Sequence, residues 1–345
     1  MSKKNVKENK LNKINDLNNE NITDMNNNSQ EITPEKIDVS RFEWIGSNTT
    51  ESETISRPST SYWKDAMHRL RRNKAAMICL IIIGIIGILS IIIPIISPYT
   101  VSEQHVTHTY AKIGYTDPGD GHVHLFGTDS LGRDVFTRIW YGARISLFIS
   151  FTAVFVNVII GIIYGGIAGY IGGAVDNVMM RIIEIINGIP YLIIVILLMM
   201  IMPKGIMTIV VAYAAVAWTG MARLVRGQIM SLKQQDYVVA AKVMGAKPSR
   251  IIGKHLLPNT FSVVIVHITL SIPSAIFTEA FLSYIGLGVP VPYASWGTLA
   301  NEGRQLFQMY PHLLIIPAIC ISLTMLSFNL LGDGLRDALD PKLRR

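Results

Sequence analysis

Apolar residues in this chain come in six runs of about twenty, set apart by polar segments, and not in the shorter one-sided patterns of a soluble core. The runs cover approximately residues 75–96, 145–167, 178–202, 205–224, 260–286 and 311–331. Each is long enough to cross a bilayer as a helix, which takes about 20 residues at a rise of 1.5 Å each. The pattern predicts an all-α polytopic membrane protein with six transmembrane helices. Pro94, Pro190, Pro203, Pro273 and Pro317 interrupt or end these runs. In lipid a freed carbonyl needs a neighbouring helix or water, so the prolines imply a bundle that lines a cavity.

The polar segments differ among themselves. Residues 1–60 hold eleven Asn before position 50, mixed with Lys, Glu, Asp and Ser, and are expected to be a disordered cytoplasmic tail. No signal peptide is expected, because the first apolar run begins only near Ala75. Residues 61–74 predict an amphipathic helix at the inner interface, with Trp63 and Met67 one turn apart. The first transmembrane helix with its flank takes 75–98, an external loop 99–144, a five-helix core 145–331 and a cytoplasmic C-terminus 332–345. RLRRNK before the first run and KLRR at the end set both termini on the cytoplasmic side. The first external loop departs from that bias with Lys112, Arg133, Arg138 and Arg144, as long translocated segments can.

Composition agrees, with 50% hydrophobic and 16% charged residues and a mean hydropathy of +0.37. The net charge of +7 is explained by membrane topology, and nothing in it points to nucleic acid. Cys79 and Cys320 both lie inside apolar runs, which excludes a disulfide framework.

The polar loop 226–258 is the most informative segment. Tyr237, Ala240, Ala241 and Met244 fall at i, i+3, i+4 and i+7, a helical stripe. Gly245 supplies a stop, and Pro248 can open a second helix. Seven Lys or Arg between Arg223 and Lys254 put this loop in the cytoplasm. Two short helices with a small apolar face form a knob that needs a groove, and the chain has no soluble domain to provide one. Glycines at 161, 165, 169 and 173 make a smooth helix face in the second run, for packing within the chain or against a partner subunit.

The same loop resembles the cytoplasmic signature of ABC importer permeases at Ala240-Ala241, Gly245 and Leu257-Pro258. It departs at Val239, where the signature is acidic, and at His255, where it has isoleucine; Asp236 lies one turn before Val239. The blocks 124–147, 279–304 and 328–344 are similar to segments of oligopeptide and dipeptide permeases, C-type subunit. The resemblance implies the type I importer permease fold, with Asp236, Tyr237, Ala240, Ala241, Met244, Gly245, Pro248, His255, Leu257 and Pro258 in an ATPase-coupling loop. It also implies four kinds of partner: a second, different permease chain, two cytoplasmic ATPases, an extracytoplasmic binding protein and the lipid. ATP and Mg²⁺ are expected on the ATPases, and this chain is expected to hold no cofactor and catalyse nothing. A nickel or nickel-chelate permease of the same family is the alternative, and a secondary transporter a more distant one.

No phosphate loop is present: the string from Gly245 to His255 has the wrong glycine spacing and no Ser or Thr after its lysine. No metalloprotease or serine-hydrolase string occurs either. Ionisable and polar groups inside apolar runs are candidates for the translocation path, namely Glu279, His267, Glu184 and Asn187. Asn157 reads as an interhelical hydrogen bond. On the external side Asp129, Arg133 and Asp134 form either a structural turn or a contact for the binding protein. Trp296, with Tyr293, is expected near the headgroups as an anchor or contact. His105, His108, His122 and His124 have metal-ligand spacing if the loop brings the two pairs together, and otherwise are scattered loop residues.

Overall fold

A computed structural model describes residues 62–119 and 121–340, and the expectations for the tail 1–60 and for 341–345 lie outside these residues. Ten helices carry the described part. They are α1 Tyr62–Arg72, α2 Lys74–Ile96, α3 Val135–Ile171, α4 Gly173–Gly188 and α5 Tyr191–Ile201. There follow α6 Ile206–Leu232, α7 Asp236–Val243, α8 Pro248–Leu287, α9 Trp296–Gln305 and α10 His312–Leu339. Between α2 and α3 lie a single 3₁₀ turn, Val106–His108, and a two-residue antiparallel ladder of β1 Tyr115–Thr116 with β2 Val123–His124, registering Tyr115 against His124.

Five helices, α2, α3, α6, α8 and α10, are long and apolar enough to cross a membrane. The run expected as one span over 178–202 is broken. Helices α4 and α5 meet at an angle of 82° and make the sixth span only as a pair. The cause is Pro190: its ring forces Ile189 out of the helical region, to φ −90° and ψ 129°.

Local chemistry places the other boundaries. Asn73 caps α2 by accepting from Ala76 N at 3.2 Å. Helix α3 starts ten residues before the apolar run because Asp134 caps it, accepting from Thr137 N at 2.7 Å. The segment 287–310, expected to be loop, contains α9. Ser295 and Thr298 cap it reciprocally, each side chain bonded to the other's backbone N–H.

Helices α3 and α6 form the most extensive seam of the bundle. The glycine face of α3 lies there, so it serves packing within the chain. A Cβ at Gly161 would stand 2.5 Å from Met221, and one at Gly169 would stand 2.8 Å from the Arg226 carbonyl. At Gly173 nothing approaches. The main core joins α2, α3, α5, α6, α8 and α10 through residues such as Ile149, Val195, Ile209, Ile276 and Phe328. Isoleucines of α2 and Phe148, Phe151 and Phe155 of α3 remain exposed, as lipid-facing side chains do. Helix α1 buries Ala66 and Leu70 and leaves Trp63 and Met67 half exposed, the side that suits an interface.

Candidate functional site

Between the α6 and α8 spans, α7 stands at one end of the bundle. Its buried residues are Val238 and Ala241, and Val238 packs in the cluster of Val225, Ile229, Ile251 and Leu256. The expected stripe is therefore divided: Ala241 holds the helix to the bundle, while Tyr237, Val239, Ala240, Val243 and Met244 face outward. Val243 is 83% and Met244 81% exposed, extreme for apolar residues beside a polar loop. Gly245 ends the helix at φ +79°, where Ala246 N donates to Ala241 O at 3.1 Å and Gly245 N to Lys242 O at 3.0 Å. Pro248 then opens α8 in its first turn. The second short helix does not stop: the chain passes through a π-helical stretch at Ile251–Leu256, holding the half-buried His255, straight into the span. Leu257 is half buried and Pro258 exposed. Asp236 is exposed in the first turn of α7.

At the other end of α8, Glu279 is completely enclosed. Ser146 Oγ donates to Oε2 at 2.7 Å and Ser283 Oγ to Oε1 at 2.8 Å. Ser295 Oγ reaches Ser283 Oγ at 3.3 Å, and Trp296 N donates to Ser146 Oγ at 3.2 Å. One carboxyl thus ties together α3, α8 and the start of α9.

A charged cluster joins two of these helices, α3 and α9. Arg138 grips Glu302 with two donors, at 2.8 and 3.1 Å, and also bonds Asp129. Arg133 Nε donates to Asp129 at 2.7 Å. Asp134 accepts from His124 Nδ1 at 2.9 Å as well as capping α3. Asp129, Arg133 and Asp134 are buried and bonded to one another's backbone or to neighbouring side chains, the environment of a structural turn. Trp296 is only 1% exposed and donates Nε1 to Ile139 O at 3.0 Å, so it is a core residue and not a headgroup anchor. Tyr293 is the exposed one.

This is a bundle with an apolar knob on a loop between spans and enclosed polar joints, and known proteins match it along nearly its whole length. The profile of the binding-protein-dependent transport system inner membrane component matches residues 157–345. That of the N-terminal TM domain of oligopeptide transport permease C matches 61–113. The chain belongs to this permease family. A dipeptide transport system permease protein, DppC, of Bacillus subtilis is 50% identical over 321 residues, covering 92% of this chain and 98% of that protein. The oligopeptide transport system permease protein OppC of the same organism is 49% identical, covering 90% and 100%. OppC of Escherichia coli is 44% identical, covering 85% and 95%.

The remaining path candidates of the permease do not converge. Glu184 is exposed and paired with Arg181 at 2.6 Å within one helix turn. Asn187, also exposed, donates to Ile183 O and accepts from Thr219 Oγ1 at 3.1 Å, linking α4 to α6. His267 is half buried, midway along α8. Asn157 is buried on α3 with Oδ1 unbonded, so the expected interhelical hydrogen bond from that atom is missing. Residue patterns did not reveal the bidentate pair of Arg226 with Asp176, both contacts at 2.5 Å, or Lys233 Nζ on the Gly169 carbonyl at 2.9 Å. A charge pair spaced fifty residues apart has no local signature. The loop brings the two histidine pairs near one another: His105 and His124 have ring centroids 6.3 Å apart, and His105, His122 and His124 all lie against Tyr99, but they do not converge on one point. His124 is taken by Asp134 and stacks on Tyr99 at 4.2 Å, whereas His105 and His108 meet Asp117. The Gly119 N–H donated to Asp117 Oδ1 holds that carboxyl below the usual carboxylate range, against desolvation, which acts the other way.

Proposed function

We propose that this chain is the C-type permease of a peptide importer and that α7 is its docking element for a cytoplasmic ATPase. Support for peptides as cargo is the 49–50% identity to oligopeptide and dipeptide permeases over nine tenths of the chain. The observation that carries the docking role is the exposed apolar face of Tyr237, Val239, Ala240, Val243 and Met244, held on a helix whose other side is anchored in the bundle. A knob of this kind seats in a groove of a partner and turns that partner's rigid-body motion into tilt of the attached spans. Val239 and Val243, at i and i+4, fall on the docking side, which makes apolar contact the substitute for an acidic residue at 239.

In this reading the knob and both termini lie in the cytoplasm, a second permease chain completes the pathway, and a binding protein delivers peptide on the opposite side. ATP and Mg²⁺ stay on the ATPases. The test is Val243→Asp combined with Met244→Asp. The ATPase subunits should no longer co-purify, and uptake of a labelled oligopeptide should fall at least about tenfold, the equivalent of 1.4 kcal/mol, with the permease still in the membrane. Uptake that survives removal of the ATPases but stops when the proton gradient is dissipated would overturn the reading in favour of a secondary transporter.

A further inference from the structure

The segment between α2 and α3 brings three metal-ligating side chains to one point, and neither the docking role nor the transport reading uses them. His105 is the residue before the 3₁₀ turn Val106–His108, and His108 N donates to His105 O at 2.8 Å. In such a turn residues i and i+3 eclipse, so both imidazoles leave on the same side. Asp117, directly after β1, meets them there. One ligand atom from each of the three lies within 4.8 Å of the other two.

The separations fit a metal better than they fit hydrogen bonds. Asp117 Oδ2 is 3.3 Å from His108 Nδ1 and 3.6 Å from His105 Nδ1. His108 Nδ1 is enclosed and has no hydrogen-bond partner. A tetrahedral centre with bonds of about 2.0–2.1 Å sets neighbouring ligand atoms about 3.3–3.4 Å apart. The surroundings hold the ligands in place. Asp117 is 3% exposed, and its second oxygen accepts from Gly119 N at 2.8 Å. On the far side of His105, Nε2 is enclosed 3.4 Å from Glu103 Oε1 without a hydrogen bond between them. Both imidazoles keep about a quarter of their surface exposed, which provides an entry path and a fourth position for water.

We propose that His105, His108 and Asp117 form a binding site for a divalent transition metal ion, Zn²⁺ in the first instance. Two imidazoles and one carboxylate suit that class and not Mg²⁺ or Ca²⁺, which take oxygen ligands in larger number. Bound there, the ion pins the 3₁₀ turn to the β1–β2 ladder. His122 and His124 stay outside the site.

The full-length chain is purified without a histidine tag, stripped with chelator, given equimolar ZnCl₂ and desalted, and its zinc is measured by elemental analysis. Wild type and His122→Ala should each retain about one zinc per chain. His108→Ala and Asp117→Asn should retain almost none, and Asn at 117 can still accept the Gly119 N–H, which preserves the turn. As a reading independent of the variants, Zn²⁺ should raise the Tm of stripped wild type, and Mg²⁺ at the same concentration should not. Wild type without zinc, variants that hold as much zinc as wild type, or a Tm that Zn²⁺ leaves unmoved would each overturn the site.

Discussion

A carboxyl enclosed within a membrane bundle has to be matched oxygen by oxygen, and Glu279 is matched by hydroxyls from two helices. Serine donors meet both oxygens, with Ser295 and the Trp296 N–H behind them, and leave Glu279 1% exposed. A residue with this environment joins elements. Replacing it by leucine strands Ser146 and Ser283, at about 1–3 kcal/mol for each buried group left unsatisfied. Glu279→Leu is therefore expected to lower the Tm in detergent clearly, and Glu279→Gln, which keeps an acceptor, to lower it less. Equal melting of the two variants would contradict the joint. The sequence marked Glu279 as special because it is an acid in an apolar run. It could not assign the role, since its partners Ser146 and Ser295 lie 133 and 16 positions away in opposite directions along the chain.

At the scale of elements, the α3–α6 seam and the α4–α5 break carry the architecture. The seam is close because glycines 161, 165 and 169 have no side chain to hold the backbones apart. A Cβ at Gly165 would drive into the Ala222 carbonyl, so Gly165→Val is expected to reduce the yield of folded protein several-fold, while Gly84→Ala on α2, where nothing lies within 4 Å, should match wild type. Size-exclusion profiles of the two variants check this. The seam was legible because a four-residue glycine period survives in the bare sequence. The direction of the break at Pro190 was not: a proline announces that a helix is interrupted, but the angle depends on what the two halves pack against. Helix α9 escaped notice for another reason. Ten residues with Asn, Glu, Arg and Gln look like a loop, and only the Ser295–Thr298 cap betrays a helix.

For the whole molecule, apolar length alone foretold six crossings, five of them as single helices. Orientation is a separate matter of charge bias, and it is directly testable. With Met309→Cys, 73% exposed at residue 309, an impermeant maleimide should label intact cells, whereas Val243→Cys should label only after permeabilisation. The reverse pattern would invert the bundle. The chain also has a mechanical property that follows from α8. Its 40 residues run from the Gly245 turn to the Glu279 joint and just beyond, a rod about 60 Å long at 1.5 Å per residue. Pinned near Glu279 by the serines, such a rod is a lever with its fulcrum almost at one end. An inclination of about 5° over the roughly 46 Å between Glu279 and Pro248 then sweeps the knob sideways by about 4 Å, while the fulcrum barely moves. Large strokes on one side of the membrane can thus coexist with a joint on the other side that never has to come apart.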